Sequence, residues 1–184
     1  MVDGLFSFGT LETVEVPKLG PAVANDATAL APLGVLLRHN GKVFRYVKFD
    51  KGTDAIAAVA YGVTYWKTLT MPDPENGVAG VFTVTCDLSS AQNAGINLVA
   101  GVLGCVVTDG YYTWIQVGGI VTALCAASTV AGDLCVYGTD KTFGRNAYGS
   151  QVNHPYGVAL STLVAAQGGT ASNTCSVLLQ NLIW

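Results

Sequence analysis

The sequence predicts an all-β protein, a small β-barrel or β-sandwich built from antiparallel hairpins, with an extended N-terminal arm. Three observations carry that expectation. Turn signals recur roughly every ten residues between short β-branched and aromatic runs, the spacing of sandwiches and barrels. Asn40-Gly41 and Asp109-Gly110 supply the positive φ angles that hairpin turns require. Nowhere in the 184 residues does a long apolar stripe at helical spacing run beside charged faces.

Residues 1–31 read as an arm. Pro17, Pro21 and scattered glycines break any sustained period, yet Phe6, Phe8, Leu11, Val14 and Val16 are too apolar for a solvated tail. Such a segment either reaches for a partner or lies as an edge strand on its own domain. Residues 32–184 read as the β domain, with a possible insert over 66–103.

Within that domain, 34–49 is a hairpin turning at Asn40-Gly41. Its second strand alternates Val43, Arg45, Val47 and Phe49 against Phe44, Tyr46 and Lys48. Met71 to Gly77 holds Pro72 and Pro74, which lack a ladder donor, so it is a loop. Ser89 to Gly95 suits one helical turn capped by Ser89 or Ser90. A second hairpin is expected over 104–117 around Asp109-Gly110, with Tyr112, Trp114 and Gln116 on one face and Thr113, Ile115 and Val117 on the other. A third spans 132–143, and final strands cover 157–163 and 175–183.

The composition is 51% hydrophobic and 11% charged, against about 25% charged in ordinary soluble domains. Mean hydropathy is +0.43. A spanning helix needs about 20 apolar residues in a row, and the run from Ile96 is broken by Asn97, Gly101 and Gly104. The apolar excess therefore points to contacts between subunits. A net charge of -3 argues against nucleic acid as a direct partner. The five cysteines, Cys86, Cys105, Cys125, Cys135 and Cys175, show no close pair and are expected to be reduced.

No constellation for chemistry stands out: the expectation is no catalytic residue, no cofactor and no metal. His39 and His154 lie in loops without a close partner. Asp50, Asp73, Glu75, Asp109, Asp133 and Asp140 sit where turns use carboxylates to bond their own backbone. Charge is uneven. Arg38, Lys42, Arg45, Lys48 and Lys51 are five of the nine basic residues, while 52–140 holds Lys67 alone against seven acids. The basic hairpin is either a solvated edge that discourages pairing or a docking face for an acidic surface.

Residues 119–126, then Val130-Ala-Gly-Asp-Leu-Cys-Val136, a turn, and Tyr156-Gly-Val-Ala-Leu160 resemble the capsid cement and head-decoration proteins of tailed bacteriophages. The likeness covers about a third of the chain. It implies a virion structural protein that is not an enzyme, assembles in the bacterial cytoplasm, forms a homotrimer and clamps major capsid protein subunits from the outer head surface. Expected partner contacts are Phe6, Phe8, Leu11 and Val14 of the arm, Arg38, Lys42 and Arg45 of the hairpin, and Trp184, unless that tryptophan packs on its own barrel. The alternatives are a carbohydrate-binding β-domain, with Tyr112 and Trp114 as its platform, or a fibre, tail or minor capsid subunit.

Overall fold

A computed structural model describes residues 24–73, 75–77, 79–91, 99–127, 129–146, 156–160 and 174–180. Ten strands follow in order: β1 Leu36–His39, β2 Lys42–Phe49, β3 Val63–Thr70, β4 Val81–Thr85, β5 Val99–Leu103, β6 Tyr112–Leu124, β7 Leu134–Tyr137, β8 Phe143–Asn146, β9 Gly157–Ala159 and β10 Thr174–Leu179. The protein is all-β, as the sequence predicts.

Five strands close a barrel in the order β2-β4-β3-β5-β6, with β6 returning to β2. The β2–β4 pair is parallel, and the other four contacts are antiparallel. The alternation read in β2 holds. Val43, Arg45, Val47 and Phe49 are all buried, and register places Arg45 opposite Ile115 and Val47 opposite Thr113. Asn40 (φ 48°) and Gly41 (φ 72°) make the expected β1–β2 turn.

The second half forms another sheet, β6-β10-β9-β7-β8. It curls until Phe143 bridges Cys125, just past the end of β6. The 13-residue β6 thus belongs to both halves. Its first part pairs with β2 and β5, and residues 119–124 pair with β10. The changeover falls at Gly118-Gly119, mid-strand rather than at a strand end. Gly119 has φ 82°, and a Cβ there would sit 2.5 Å from the Gly41 carbonyl oxygen. Only glycine combines that angle with that approach.

Several details differ from the sequence reading. Residues 66–103, read as a possible insert, supply β4, β5 and most of β3, strands of the barrel wall. Asp109-Gly110 does not close a two-residue hairpin. Its loop docks on the end of β2, where Gly110 N donates to Phe49 O (3.0 Å) and Lys51 N to Asp109 Oδ1 (3.0 Å). Residues 24–31, assigned to the arm, are pinned to the barrel. Asp26 bridges Tyr112, Tyr46 Oη donates to Asp26 Oδ2 (3.1 Å), and Leu30 N donates to Tyr46 Oη (3.1 Å).

The cysteines were expected to be reduced. Cys125 and Cys175 instead form a disulfide across the β6–β10 ends, where Thr174 pairs with Leu124 and brings the two Cα atoms to 6.5 Å. Cys86, Cys105 and Cys135 are free and buried. Burial pushes the Cys86 and Cys135 thiols up to about 12.

The short turn expected from Ser89 is a 3-10 turn over Leu88–Ser90, but its cap is Asp87. This carboxylate is fully buried. It accepts from Ser89 N (2.9 Å), Ser89 Oγ (2.6 Å), Ser90 Oγ (2.6 Å) and Asp54 N (2.9 Å). Burial alone would raise its pKa, but these bonds outweigh it and hold Asp87 well below the usual carboxylate range.

Three outcomes follow from this architecture. Gly119→Ala should cost at least about 2 kcal/mol, since strain and backbone contact add; chemical denaturation measures it. Replacing Cys125 and Cys175 together by Ala should cost about 2–4 kcal/mol, given the 50-residue separation, and a reductant should lower the wild-type melting temperature without affecting the double variant's. Because Asp87 has a lower pKa folded than unfolded, its contribution is complete above the unfolded value near ~3.9 and declines as pH falls toward the folded value. Asp87→Asn should therefore be less stable at pH 7, and its stability should fall less steeply below about pH 4 in acid titrations followed by circular dichroism.

Candidate interaction face

An antiparallel sheet with one face on the core normally turns polar residues outward. The β6-β10-β9-β7 sheet departs from that rule. Its inward positions, including Ala123, Cys175, Val177 and Leu179, are buried. Its outward positions are uncharged, and one row of them is wholly apolar. Leu178 pairs with Ile120 on one side and Val158 on the other, and Val158 pairs with Leu134, so these four side chains form one row across four strands.

Ile120 is 53% exposed and Leu178 42%. The next row holds Thr122, Ser176 and Leu160, which is 45% exposed and donates its N–H to Ser176 O at 2.7 Å. Among the described residues, no outward position of β7, β9, β10 or the 119–124 part of β6 carries a charge. Water gains nothing by solvating such a row, whereas a complementary surface would remove it from water at about 25 cal/mol per Å².

The β1–β2 tip flanks this face. A shallow cleft runs from Arg38, Asn40 and Lys42 to Gly119 and Leu178. Of the hairpin residues expected to dock, Arg38 and Lys42 are exposed at that tip. Arg45 is not. It is 3% exposed, with its guanidinium 5.6 Å from the Trp66 ring centre and 5.9 Å from that of Phe82 inside the barrel. As an inward position of β2, it packs the interior and presents no surface. Lys51 reaches Asp109 (3.8 Å), and Lys67 pairs with Asp50 (2.7 Å). The bond from Lys67 chiefly lowers the Asp50 pKa, against an opposing effect of burial.

Phe6, Phe8, Leu11, Val14 and Trp184 lie outside the described residues. The apolar row itself was missed in the sequence. Its signal was present in Ile120-Val121 and in Val177-Leu178-Leu179, where apolar residues fill both faces of a strand, but a strand buried on both sides produces the same pattern. Of the carboxylates expected to bond their own turns, Asp50, Asp73 and Asp133 do so, whereas Asp109 and Asp140 accept from the remote Lys51 N and Leu88 N. Asp73 accepts from Asn76 N (3.2 Å) and Nδ2 (2.7 Å), and Asp133 accepts from Val130 N (2.8 Å) while pairing with Arg145 Nε (2.9 Å).

If the row is a contact surface, Ile120→Lys with Leu178→Glu should remove it while keeping a favourable cross-strand pair. The double variant should melt within about 1 kcal/mol of wild type and lose self-association in light scattering. An unchanged particle mass would show that copies do not meet there.

No protein-family model matches the chain, and no curated protein does either. Among solved structures, the fold is similar to one described as the head fiber gp8.5 N base of bacteriophage phi29, at 10% identity and a TM-score of 0.46 over 76% of this chain and 95% of that one. A likeness of that degree carries no argument about what this chain binds.

Proposed function

We propose that this chain is a structural subunit of a bacteriophage virion, and specifically a decoration protein that binds the outer head surface and ties neighbouring major capsid subunits together. The observation that carries the reading is the uncharged row Ile120, Leu178, Val158 and Leu134 on the outside of the β6-β10-β9-β7 sheet. Such a face supports binding rather than turnover. The charge-poor composition supports it too, as does the resemblance carried by 119–126, 130–136 and 156–160. Repetition over many copies multiplies modest single contacts, so no one interface needs to be large. Arg38 and Lys42 at the edge of the face would set orientation against acidic groups. A homotrimer on the head would use the row for self-contact, capsid contact or both.

The full-length protein should co-sediment with capsid shells to a fixed, saturable copy number. Ile120→Lys with Leu178→Glu should lower that occupancy at least tenfold, and Arg38→Ala with Lys42→Ala should slow association and weaken its salt dependence. Binding to tail or fibre assemblies instead of shells would move the protein to another part of the virion. Undiminished shell binding by the row variant would remove the observation on which the reading stands.

A further inference from the structure

On the barrel, away from the β9 and β7 part of the apolar row, a groove of about 440 Å³ opens along β6, within the ~300–1,000 Å³ range of ligand clefts. Three aromatic side chains line it: Phe44, Tyr61 and Trp114. Lys42, His39 and Asn40 of the β1–β2 turn line it, as do Gln116 and Thr122. Among the described residues that line it, none is an Asp or a Glu.

The aromatic platform is built rather than incidental. Trp114 packs on Tyr46 with ring centres 5.0 Å apart. Tyr46 is itself buried and tethered through its hydroxyl to Asp26 and Leu30. Tyr61 is 43% exposed and has φ 66°, a left-handed conformation that bulky residues rarely adopt. The backbone holds it there, because Tyr61 N donates to Leu103 O (2.9 Å) and Leu124 N donates to Tyr61 O (2.9 Å). Strain of this kind persists only where the surroundings over-determine it, and it concentrates at ligand sites. Gln116 spends both amide hydrogens on Gly118 O and Ile120 O (3.0 Å each), which fixes its side chain with the oxygen as the remaining acceptor.

We infer that this groove binds an acidic oligosaccharide, its sugar rings stacked on Trp114 and Tyr61 and its carboxylate held by Lys42. Pyranose rings present apolar C–H faces that aromatic rings accept, while their hydroxyls pair with planar amide and hydroxyl groups such as those of Asn40, Gln116 and Thr122. A groove whose described lining holds Lys42 and no carboxylate favours a negative ligand over a neutral one. Single-stranded nucleic acid would also stack on aromatics, but it wants a basic track along the whole groove, and among the described lining residues Lys42 is the one lysine or arginine. The inference goes beyond the virion role and does not depend on it.

The test is calorimetric titration of the full-length protein with a tetragalacturonate, its neutral methyl-esterified form, an oligothymidylate and a peptide of residues 1–23. The tetragalacturonate should bind at least tenfold tighter than its methyl ester. Tyr61→Gly, which removes the ring and relieves the backbone, should weaken that binding at least tenfold, as should Trp114→Ala. Trp114→Phe should retain it within about threefold, and Lys42→Ala should abolish the preference for the acidic sugar. Equal binding of both sugars, binding unaffected by Tyr61→Gly, or occupancy only by the oligothymidylate or the peptide would each overturn the inference. The absence of binding by every probe would overturn it too.

Discussion

The structure depends on one strand serving two sheets. β6 gives its first half to a closed five-stranded barrel and its second half to the β10-β9-β7-β8 sheet. A continuous strand can do this only if it turns sharply without losing its ladder on either side. Gly119 supplies the turn, and the Gly41 carbonyl leaves no room for any larger residue. The two halves share more than this strand. Val63, Tyr65, Val99 and Val102 are all fully buried, and Tyr65 Oη donates to Thr139 O and Thr142 O (3.0 Å each) in the β7–β8 connection. Leu88 N donates to Asp140 Oδ1 (2.8 Å), tying the Asp87 turn to the same connection.

Local rules explain what was legible in the sequence. The Asn40-Gly41 hairpin, the alternation of β2 and the Leu134–Tyr137 to Phe143–Asn146 hairpin each follow from nearest neighbours: turn chemistry and a period of two. Asp109-Gly110 carried the same local signal and a different outcome, because the end of β2 offered its loop backbone partners that a tight hairpin would have forgone. That 66–103 builds barrel wall was hidden for a related reason. Pro72 and Pro74 do mark a loop, but strands on both sides of it pair with partners far along the chain. Asp87 was passed over in favour of the serines beside it, and the disulfide joins residues whose proximity only the β6–β10 register reveals.

The candidate contact surface was harder to read than the fold. Composition drew attention to surplus apolar area, but it could not say where that area lies. An apolar strand residue looks the same in sequence whether it faces a core or water. Only the pairing of Ile120, Leu178, Val158 and Leu134 across four strands assembles them into one row. Arg45 shows the converse. A charge in a basic hairpin reads as surface, yet the period of β2 carries it inside, onto Trp66 and Phe82, where its flat cation meets ring faces.

The shared strand also sets how the molecule bears load. A pull on the outer apolar row enters β10 and β6, which lie antiparallel over six residue pairs and are stapled at one end by Cys125–Cys175. Force directed along those strands strains all six pairs at once instead of peeling them one after another. It then reaches the barrel through the covalent backbone at Gly119, beside the Tyr65 and Asp140 hydrogen bonds that also join the two halves. A protein attached by that face would hold its grip until the β6–β10 ladder sheared as a block, which is the mechanical behaviour of a rivet.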